Sequence, residues 1–281
     1  MIKQIYKIFN LLILWLLSEN KWVNPYKLIN ENTLSDRETI MYLKKNPRTG
    51  IIRYGNSELG LIVGNSPKTQ KYCKKLGDKL INNCRNYNSS TIKKYLLALP
   101  LESLVSGHNN AKRILPSWYP GIASRWAMRF LVKKSQMYGS PFCFRIFNVD
   151  DNDMENYLSL IRSLFIGRKI IYVGPKQGKN KEIPSFISPS ETMNIPEKNA
   201  FEKFEEIVAQ IKNLCTNYKN PLVVIVGGTT ASAISYELNM SNITCYDFGQ
   251  YNRIHKKYLL RKNTIRRIEI KKNQMHDKFK K

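Results

Sequence analysis

The chain has 281 residues, of which 42% are hydrophobic and 11% aromatic, so its composition is that of a folded globular protein and excludes a disordered chain. It carries 46 Lys and Arg residues against 21 Asp and Glu residues, a net charge of +25. This charge predicts an anionic partner, and nucleic acid, an anionic membrane surface and phosphorylated substrates all meet that description.

The first predicted element is an apolar helix near the N-terminus. Lys3 and Lys7 precede an apolar stretch from Leu11 to Leu17, which is shorter than the roughly 20 residues needed to cross a bilayer. No small-residue cleavage site of a signal peptide follows. The pattern is typical of a helix that lies in a membrane interface, and a helix packed on the following domain explains it equally well.

From residue 50 onward, short β-rich apolar runs alternate with longer stretches of helical spacing. The predicted strands are 50–55, 94–100, 141–147, 169–174, 221–228 and 243–249. The predicted helices are 68–85, 121–137, 153–166, 198–217 and 230–239. This alternation predicts an α/β fold with a mostly parallel sheet, and continuous apolar runs such as "LVVIV" indicate strands covered by helices on both faces.

Two long polar segments interrupt this alternation, at residues 101–120 and 174–197. Loops of this length are uncommon in a compact domain unless they are functional or mobile. Both follow predicted strands, and ligands of open α/β sheets bind beyond the carboxyl ends of the strands. We therefore expect these segments to form walls or lids of a ligand site.

The stretch "RYGNSE" places polar residues where the first strand meets the next helix. Gly55 permits a tight turn there, and Asn56 or Ser57 could cap the helix. Glu58 near a helix N-terminus is favoured by the helix dipole. A structural explanation of the segment therefore stands beside a functional one.

Two further strand ends carry polar residues. Gly227 and Gly228 end the predicted strand at 221–228 and Thr229 follows it; free amides at such a helix N-terminus attract phosphate, although the glycines could also serve close packing. Asp247 closes the last predicted strand. Since parallel strands bring their carboxyl ends to one edge, these residues and Glu58 predict a shared pocket.

Other kinds of chemistry are poorly represented in the sequence. His108, His255 and His276 show no metal-ligand spacing, and no G-x-S-x-G motif occurs, which argues against zinc sites and hydrolase triads. Five cysteines occur without a C-x-x-C pair, which predicts reduced core thiols in a cytoplasmic protein.

Several segments resemble, in their order, the GT-D-type glycosyltransferases. They are "IIRYGNSELGLIVG", "SPFCFRIF", "GRKIIYVG", "IPEKNAFEKFEEIV", "LVVIVGGTTASAISYEL" and "CYDFGQY". That family typically shows R-[FY]-G-D-G-E, P-x-x-N-A-F, G-x-T-A and D-x-G-H in this order. The resemblance covers about residues 35–255 and rests on the order and spacing of the motifs together.

The resemblance implies a Rossmann-like domain that transfers a sugar from a nucleotide-sugar donor, such as UDP-hexose, to a glycan or lipid-linked glycan in surface polysaccharide or glycoprotein biosynthesis. On this interpretation Glu58 and Asp247 are catalytic, and a divalent Mn²⁺ or Mg²⁺ ion is held by Asn56 and Glu58. The donor-binding residues would be Arg53, Gly55, Asn56, Arg145, Asn199, Gly228, Thr229 and Thr230.

Two positions depart from the family pattern. Asn56 replaces the first acid of the D-x-E motif, and Gln250 replaces the histidine of D-x-G-H. An amide oxygen binds Mg²⁺ or Mn²⁺ more weakly than a carboxylate does. The departures leave three alternatives: a metal-dependent enzyme of weaker affinity, a metal-independent enzyme that uses basic residues, and an inactive relative.

The organisation we expect is an apolar or amphipathic N-terminal segment (1–34), a transferase domain (35–255) and a basic tail (256–281). The two terminal segments would hold the protein peripherally at the cytoplasmic face of an anionic membrane. A basic nucleic-acid-binding protein is the alternative of a different class, although no helix-turn-helix, zinc-finger or RNP motif is present.

Overall fold

The computed structural model describes residues 33–101, 128, 131–133, 135–145, 153–176, 183–184 and 186–249. The expected N-terminal helix, the basic tail, Gln250 and all three histidines lie outside the described residues. Most of the predicted loop at 101–120 and of the predicted helix at 121–137 also lies outside them. Within the described part of the chain, no helix is long and apolar enough to cross a membrane.

Helices and strands alternate through much of the described chain. The α-helices are α1 (Asp36–Lys45), α2 (Asn56–Ile62), α3 (Lys74–Arg85), α4 (Met154–Arg162), α5 (Phe204–Thr216) and α6 (Thr229–Met240). The strands are β1 (Gly50–Arg53), β2 (Tyr95–Ala98), β3 (Ile170–Gly174), β4 (Glu191–Asn194), β5 (Leu222–Ile225) and β6 (Thr244–Asp247). Short 3₁₀ turns at Thr91–Lys93 and Ala200–Lys203 precede β2 and α5.

The six strands form one sheet in the order β2-β1-β6-β5-β3-β4, and neighbouring strands in it run parallel. The strands β1, β6 and β5 are adjacent, so the three polar strand ends predicted from the sequence meet at one edge. We call this edge, where the strands end, the carboxyl edge, and the opposite edge the amino edge.

Successive residues of a strand point to opposite faces of the sheet, and apolar residues on both faces are covered by helices. Ile52 and Val223 pack with α2, α3, α5 and α6 in one buried cluster. Their neighbours Ile51 and Val224 pack with α1 and α4 in a second cluster. The predicted α/β fold with a parallel sheet between two helical layers is confirmed.

The sequence interpretation was wrong at one predicted strand and missed another. The expected strand at 141–147 begins as a turn over residues 141–144, where Phe142 and Phe144 are buried by packing within a loop. The strand β4 lies inside the segment expected to be a polar loop. It is an edge strand whose side chains are only partly buried, so it lacks the apolar run that marks the central strands.

The predicted core thiols are present. Cys84, Cys143, Cys215 and Cys245 are buried, Cys73 is partly buried, and none of them forms a disulfide.

A close approach of helix α6 to strands β1 and β6 places a strict demand on Gly50. The Asn239 side chain donates to the backbone oxygen of Cys245 at 3.2 Å and accepts from its backbone nitrogen at 2.9 Å, so it lies between the two strands. A methyl group on Gly50 would overlap this side chain.

We expect Gly50→Ala to lower the free energy of unfolding by about 1–3 kcal/mol, as overpacking does in tight cores. Urea denaturation measures the loss as a lower midpoint with an unchanged slope. The matched control is Gly77→Ala in α3, where a methyl group meets only ordinary contacts and stability should stay the same or rise. Equal stability of the Gly50 variant and the wild type would contradict the packing described here.

Candidate active site

Arg53 ends strand β1 at the carboxyl edge and is 5% exposed. Its Nε donates to the backbone oxygen of Pro141 at 2.6 Å, which ties the turn at 141–144 to the strand. Its Nη1 is buried and has no hydrogen-bond partner among the described residues. The guanidinium lies directly against Gly249, where any larger side chain would overlap it. A buried positive charge therefore lies at this edge, and one of its N–H donors has no partner among the described residues.

Glu58 lies on the first turn of α2, immediately after β1. Its Oε2 accepts from the backbone nitrogen of Gly55 at 2.7 Å, which is one half of a capping box. The expectation that Asn56 or Ser57 caps the helix is wrong: Gly55 is the N-cap and has no side chain to accept a hydrogen bond, so the Glu58 carboxylate makes the side-chain contact at this helix start. The residue as a whole is partly exposed, so part of its side chain can also meet a ligand.

Asp247 ends strand β6 and is 3% exposed. Its Oδ2 accepts from the Ser232 hydroxyl at 3.0 Å, and its Oδ1 accepts from the backbone nitrogen of Gly249 at 3.1 Å. The Ser232 hydroxyl also lies 3.0 Å from the backbone oxygen of Arg53. Ser232 thus joins α6, β1 and β6 at the carboxyl edge.

The two carboxyl groups and the guanidinium form one electrostatic cluster. Burial raises the pKa of Glu58, and the negative charge of Asp247 raises it further, while the Gly55 amide and the Arg53 charge oppose the shift. Burial also raises the pKa of Asp247, against the lowering effect of Arg53. Carboxyl groups with perturbed pKa values cluster at functional sites, although structural ion-pair networks shift pKa values as well.

The N-terminus of helix α6 forms the second half of the edge. Gly228 precedes the helix with a φ of 57°, a conformation that glycine adopts readily. Thr229 begins the helix, and its hydroxyl is buried without a hydrogen-bond partner in the described part of the chain. Thr230 points elsewhere, since its hydroxyl bonds to the Gln70 side chain at 3.2 Å. The start of the helix therefore contains one hydroxyl without a described partner, next to the free backbone amides of the first turn.

Asn199 and Arg145 take supporting positions in the described chain. The Asn199 side chain accepts from the backbone nitrogen of Lys71 at 2.9 Å, and its own backbone nitrogen donates to the oxygen of Thr69 at 2.9 Å. This holds the loop before α3 against Gly228. Arg145 follows the turn that contacts Arg53 and lies over the Phe142 ring at 5.3 Å. Their predicted roles in donor binding stay predictions.

The donors at this edge do not fit a divalent ion held by the protein alone. Across the described ranges, no group of three or more His, Cys, Asp and Glu side chains could hold a metal. One oxygen of Glu58 and both oxygens of Asp247 already accept protein hydrogen bonds. Asn56, the first residue of α2, adds at most one amide oxygen. The expected Mn²⁺ or Mg²⁺ at Asn56 and Glu58 stays a prediction.

Sequence reasoning missed two side chains that organise this edge, Ser232 and Gln70. A signal for Ser232 was present: Ser232, Ser235 and Asn239 are spaced as one helix face, and all three are buried polar residues that bond to the strand beside them. Gln70 has no such signal, because its loop reaches Thr230 across 160 positions of sequence.

The chain matches a known protein family over most of its length. A family model described as Glycosyltransferase GT-D fold matches residues 51–278. A search among curated proteins found no match.

Solved structures show a similar fold. One is described as a highly conserved domain of unknown function 1792 with a distinct glycosyltransferase fold; it is 21% identical, with 86% of each chain covered and a TM-score of 0.70. Another is described as a new glycosyltransferase of the same domain type from Streptococcus sanguinis; it is 17% identical, with 82% of this chain and 85% of that chain covered and a TM-score of 0.63. At these identities the likeness concerns the fold.

Proposed function

The chain belongs to the GT-D glycosyltransferase family, and from this premise we propose that it transfers a sugar from a nucleotide-sugar donor to a hydroxyl of a glycan acceptor at the carboxyl edge. The proposal rests on two buried donor atoms at that edge, Arg53 Nη1 and Thr229 Oγ1, which have no hydrogen-bond partner among the described residues. Buried polar groups are rarely left without partners, so both atoms indicate a ligand rich in acceptor oxygens.

The two open donors belong to one place in the fold. Thr229 lies three residues before Ser232, on the same face of α6, and the Ser232 hydroxyl reaches the backbone oxygen of Arg53. A diphosphate placed there would meet the amides of the helix start, the Thr229 hydroxyl and the Arg53 guanidinium. These groups would hold the donor and stabilise the charge that develops on the leaving nucleoside diphosphate.

We assign the proton transfer to Glu58. Its Oε2 accepts from the Gly55 amide and the residue is partly exposed, whereas both oxygens of Asp247 accept hydrogen bonds from Ser232 and Gly249 and that residue is buried. In the reaction, the acceptor oxygen forms a bond to the anomeric carbon, the bond from that carbon to the phosphate oxygen breaks, and Glu58 takes the hydroxyl proton. A raised pKa suits this task near neutral pH.

Asp247 acts as a positioning residue in this account. Through Ser232 and Gly249 it fixes the start of α6 relative to the end of β6. Its charge also partly neutralises Arg53, whose positive charge lowers the pKa of Asp247 in return. No step of the proposed reaction passes through a metal ion.

The Thr229 hydroxyl provides a specific test of donor binding. We expect UDP-hexoses to raise the melting temperature of the wild type, because a ligand bound only by the native state stabilises it. Thr229→Val should weaken binding about ten- to a hundredfold, as the loss of a hydrogen bond to a charged group does. Thr229→Ser keeps the hydroxyl and serves as the matched control.

Titration calorimetry with and without Mn²⁺ measures both the affinity and any metal requirement. The donor site is wrong if Thr229→Val binds UDP-hexose as tightly as the wild type. The proposal as a whole fails if no nucleotide sugar binds under either condition.

A further inference from the structure

A cavity of about 710 Å³ lies at the amino edge of the sheet, on the side of the molecule opposite the candidate active site. It is bounded by the segments that lead into β1, β2, β3, β5 and β6 and by the ends of α1, α4 and α6. Among the described residues, its lining contains five cations and no carboxylate: Lys44, Arg48, Lys93, Lys94 and Arg168. A cavity of this size can hold a ligand of substantial volume.

The positive charge of this basic cavity is not neutralised by the described part of the protein. None of the five side chains takes part in the ion pairs found among the described residues. Lys94 donates to the backbone oxygen of Met240 at 3.2 Å, and Arg168 donates to the Tyr246 hydroxyl at 3.4 Å. These acceptors are uncharged, so the attraction for an external anion persists.

The general basic surplus of the chain does not account for this lining. A second cavity, beside α3 and α5, is lined by three lysines and three glutamates and is therefore balanced in charge: Lys71, Lys75, Lys203, Glu202, Glu205 and Glu206. The absence of carboxylates is thus a property of the basic cavity itself. It indicates a ligand that carries several negative charges or a surface that presents them.

An exposed apolar side chain belongs to the same cavity. Ile166 is 78% exposed, more than any other large hydrophobic residue that the structure describes as exposed. It follows α4 and stands beside Gly167, in a tight turn with a positive φ of 72°. Cations next to a protruding aliphatic side chain are typical of surfaces that bind anionic lipid, since the cations meet phosphates while the side chain enters the interface.

We propose that the basic cavity binds the phosphates of anionic lipid headgroups, with Ile166 entering the membrane interface beside them. The strands that separate the two edges have only four or five residues, so the edges lie roughly 13–17 Å apart. Membrane contact at the amino edge leaves the carboxyl edge open to substrates. The contact is independent of transfer activity, so either proposal can fail while the other stands.

The test is sedimentation of the full-length chain with vesicles of phosphatidylcholine that do or do not contain phosphatidylglycerol. Arg48→Gln combined with Lys93→Gln should lower the partition onto anionic vesicles roughly thirtyfold, since each charge near the surface is worth about fivefold. The matched control is Lys75→Gln combined with Lys212→Gln, which removes the same charge from α3 and α5 and should lose far less.

A second variant tests the apolar contact without changing any charge. Ile166→Ser should also reduce sedimentation with anionic vesicles, whereas Tyr72→Ser, at an exposed position on another surface, should not. Circular dichroism and the melting temperature establish that each variant is folded. Both substituted positions are exposed, so we expect no loss of fold.

Three results would overturn the proposal. The first is sedimentation of the cavity variant equal to that of the wild type, or a loss no greater than in the charge-matched control. The second is a protein that does not bind vesicles but whose melting temperature is raised by soluble glycerol phosphate, with the rise lost in the cavity variant. That result would assign the cavity to a soluble anion. The third is a selective loss of duplex DNA binding in the cavity variant with vesicle binding unchanged, which would assign it to nucleic acid.

Discussion

Replacing Glu58 with Gln should abolish most sugar transfer while making the protein more stable at neutral pH. Gln cannot take the acceptor proton, and general base catalysis contributes about 10²–10⁴-fold to a rate. The contact with the Gly55 amide can persist, because an amide oxygen also accepts a hydrogen bond. The transfer rate with nucleotide sugar and acceptor measures the first effect, and thermal unfolding measures the second.

The sign of the stability change follows from the direction of the pKa shift. Burial and Asp247 raise the pKa of Glu58, so the folded state favours the protonated carboxyl. Its contribution to stability is therefore greatest below the pKa of the unfolded chain and is lost as the pH rises through the higher folded value. The variant should be more stable than the wild type above that range, and the difference should shrink in acid.

A matched control separates this effect from a general change in charge. Glu205→Gln removes a carboxylate from the exposed face of α5 and should alter neither transfer nor the pH dependence of stability. Full transfer activity in Glu58→Gln would remove Glu58 from the reaction. A wild type and variant that are both inactive with every donor would favour an inactive relative of the family.

Replacing Arg53 with Met should destabilise the protein by about 3 kcal/mol at neutral pH, near the lower limit for the loss of one partner from a buried charge pair. The Arg53 charge lowers the pKa of both Asp247 and Glu58. Without it, the two carboxyls lose a nearby positive charge, and their pKa values rise further. The loss should be largest above the folded pKa values and should diminish in acid, where both groups are protonated. Urea denaturation over a series of pH values measures it.

A double-mutant cycle shows whether this loss comes from the charge cluster. The double variant Arg53→Met, Asp247→Asn should lose less free energy of unfolding than the sum of the losses in the two single variants. The reason is that Asp247→Asn removes the carboxylate charge that Arg53→Met leaves without a partner. Arg85→Met, at an exposed position of α3, is the control for loss of an arginine side chain and should cost less than about 0.5 kcal/mol. Additive losses at Arg53 and Asp247 would contradict the cluster.

The central part of the fold could be predicted from the sequence because its strands are buried on both faces. Strands β1, β5 and β6 read as short apolar runs bounded by glycine, proline or polar residues, and the structure contains all three. Strand β4 gave no such signal, since one side of it lies at the edge of the sheet. The turn at 141–144 was misread as a strand because its aromatic side chains are buried by loop packing rather than by a sheet.

The sequence could predict which residues lie at the candidate site, but not the role of each. Parallel strands bring their ends to one edge, so the sequence could place Glu58, Asp247 and Thr229 near one another. It could not show that both oxygens of Asp247 accept hydrogen bonds, from Ser232 and Gly249, or that the Thr230 hydroxyl bonds to Gln70. Those contacts depend on residues that are far apart in the sequence, and they determine which side chains remain open to a ligand.

The proposed reaction requires a nucleotide sugar to bind at the carboxyl edge, between Arg53 and the start of α6. A crystal structure of the full-length chain with UDP, grown in the presence of Mn²⁺, would locate the bound nucleotide. We expect a diphosphate within hydrogen-bond distance of the Thr229 hydroxyl and of Arg53 Nη1, with Glu58 facing the solvent side. A nucleotide bound only in the basic cavity at the amino edge, with the carboxyl edge empty, would contradict it.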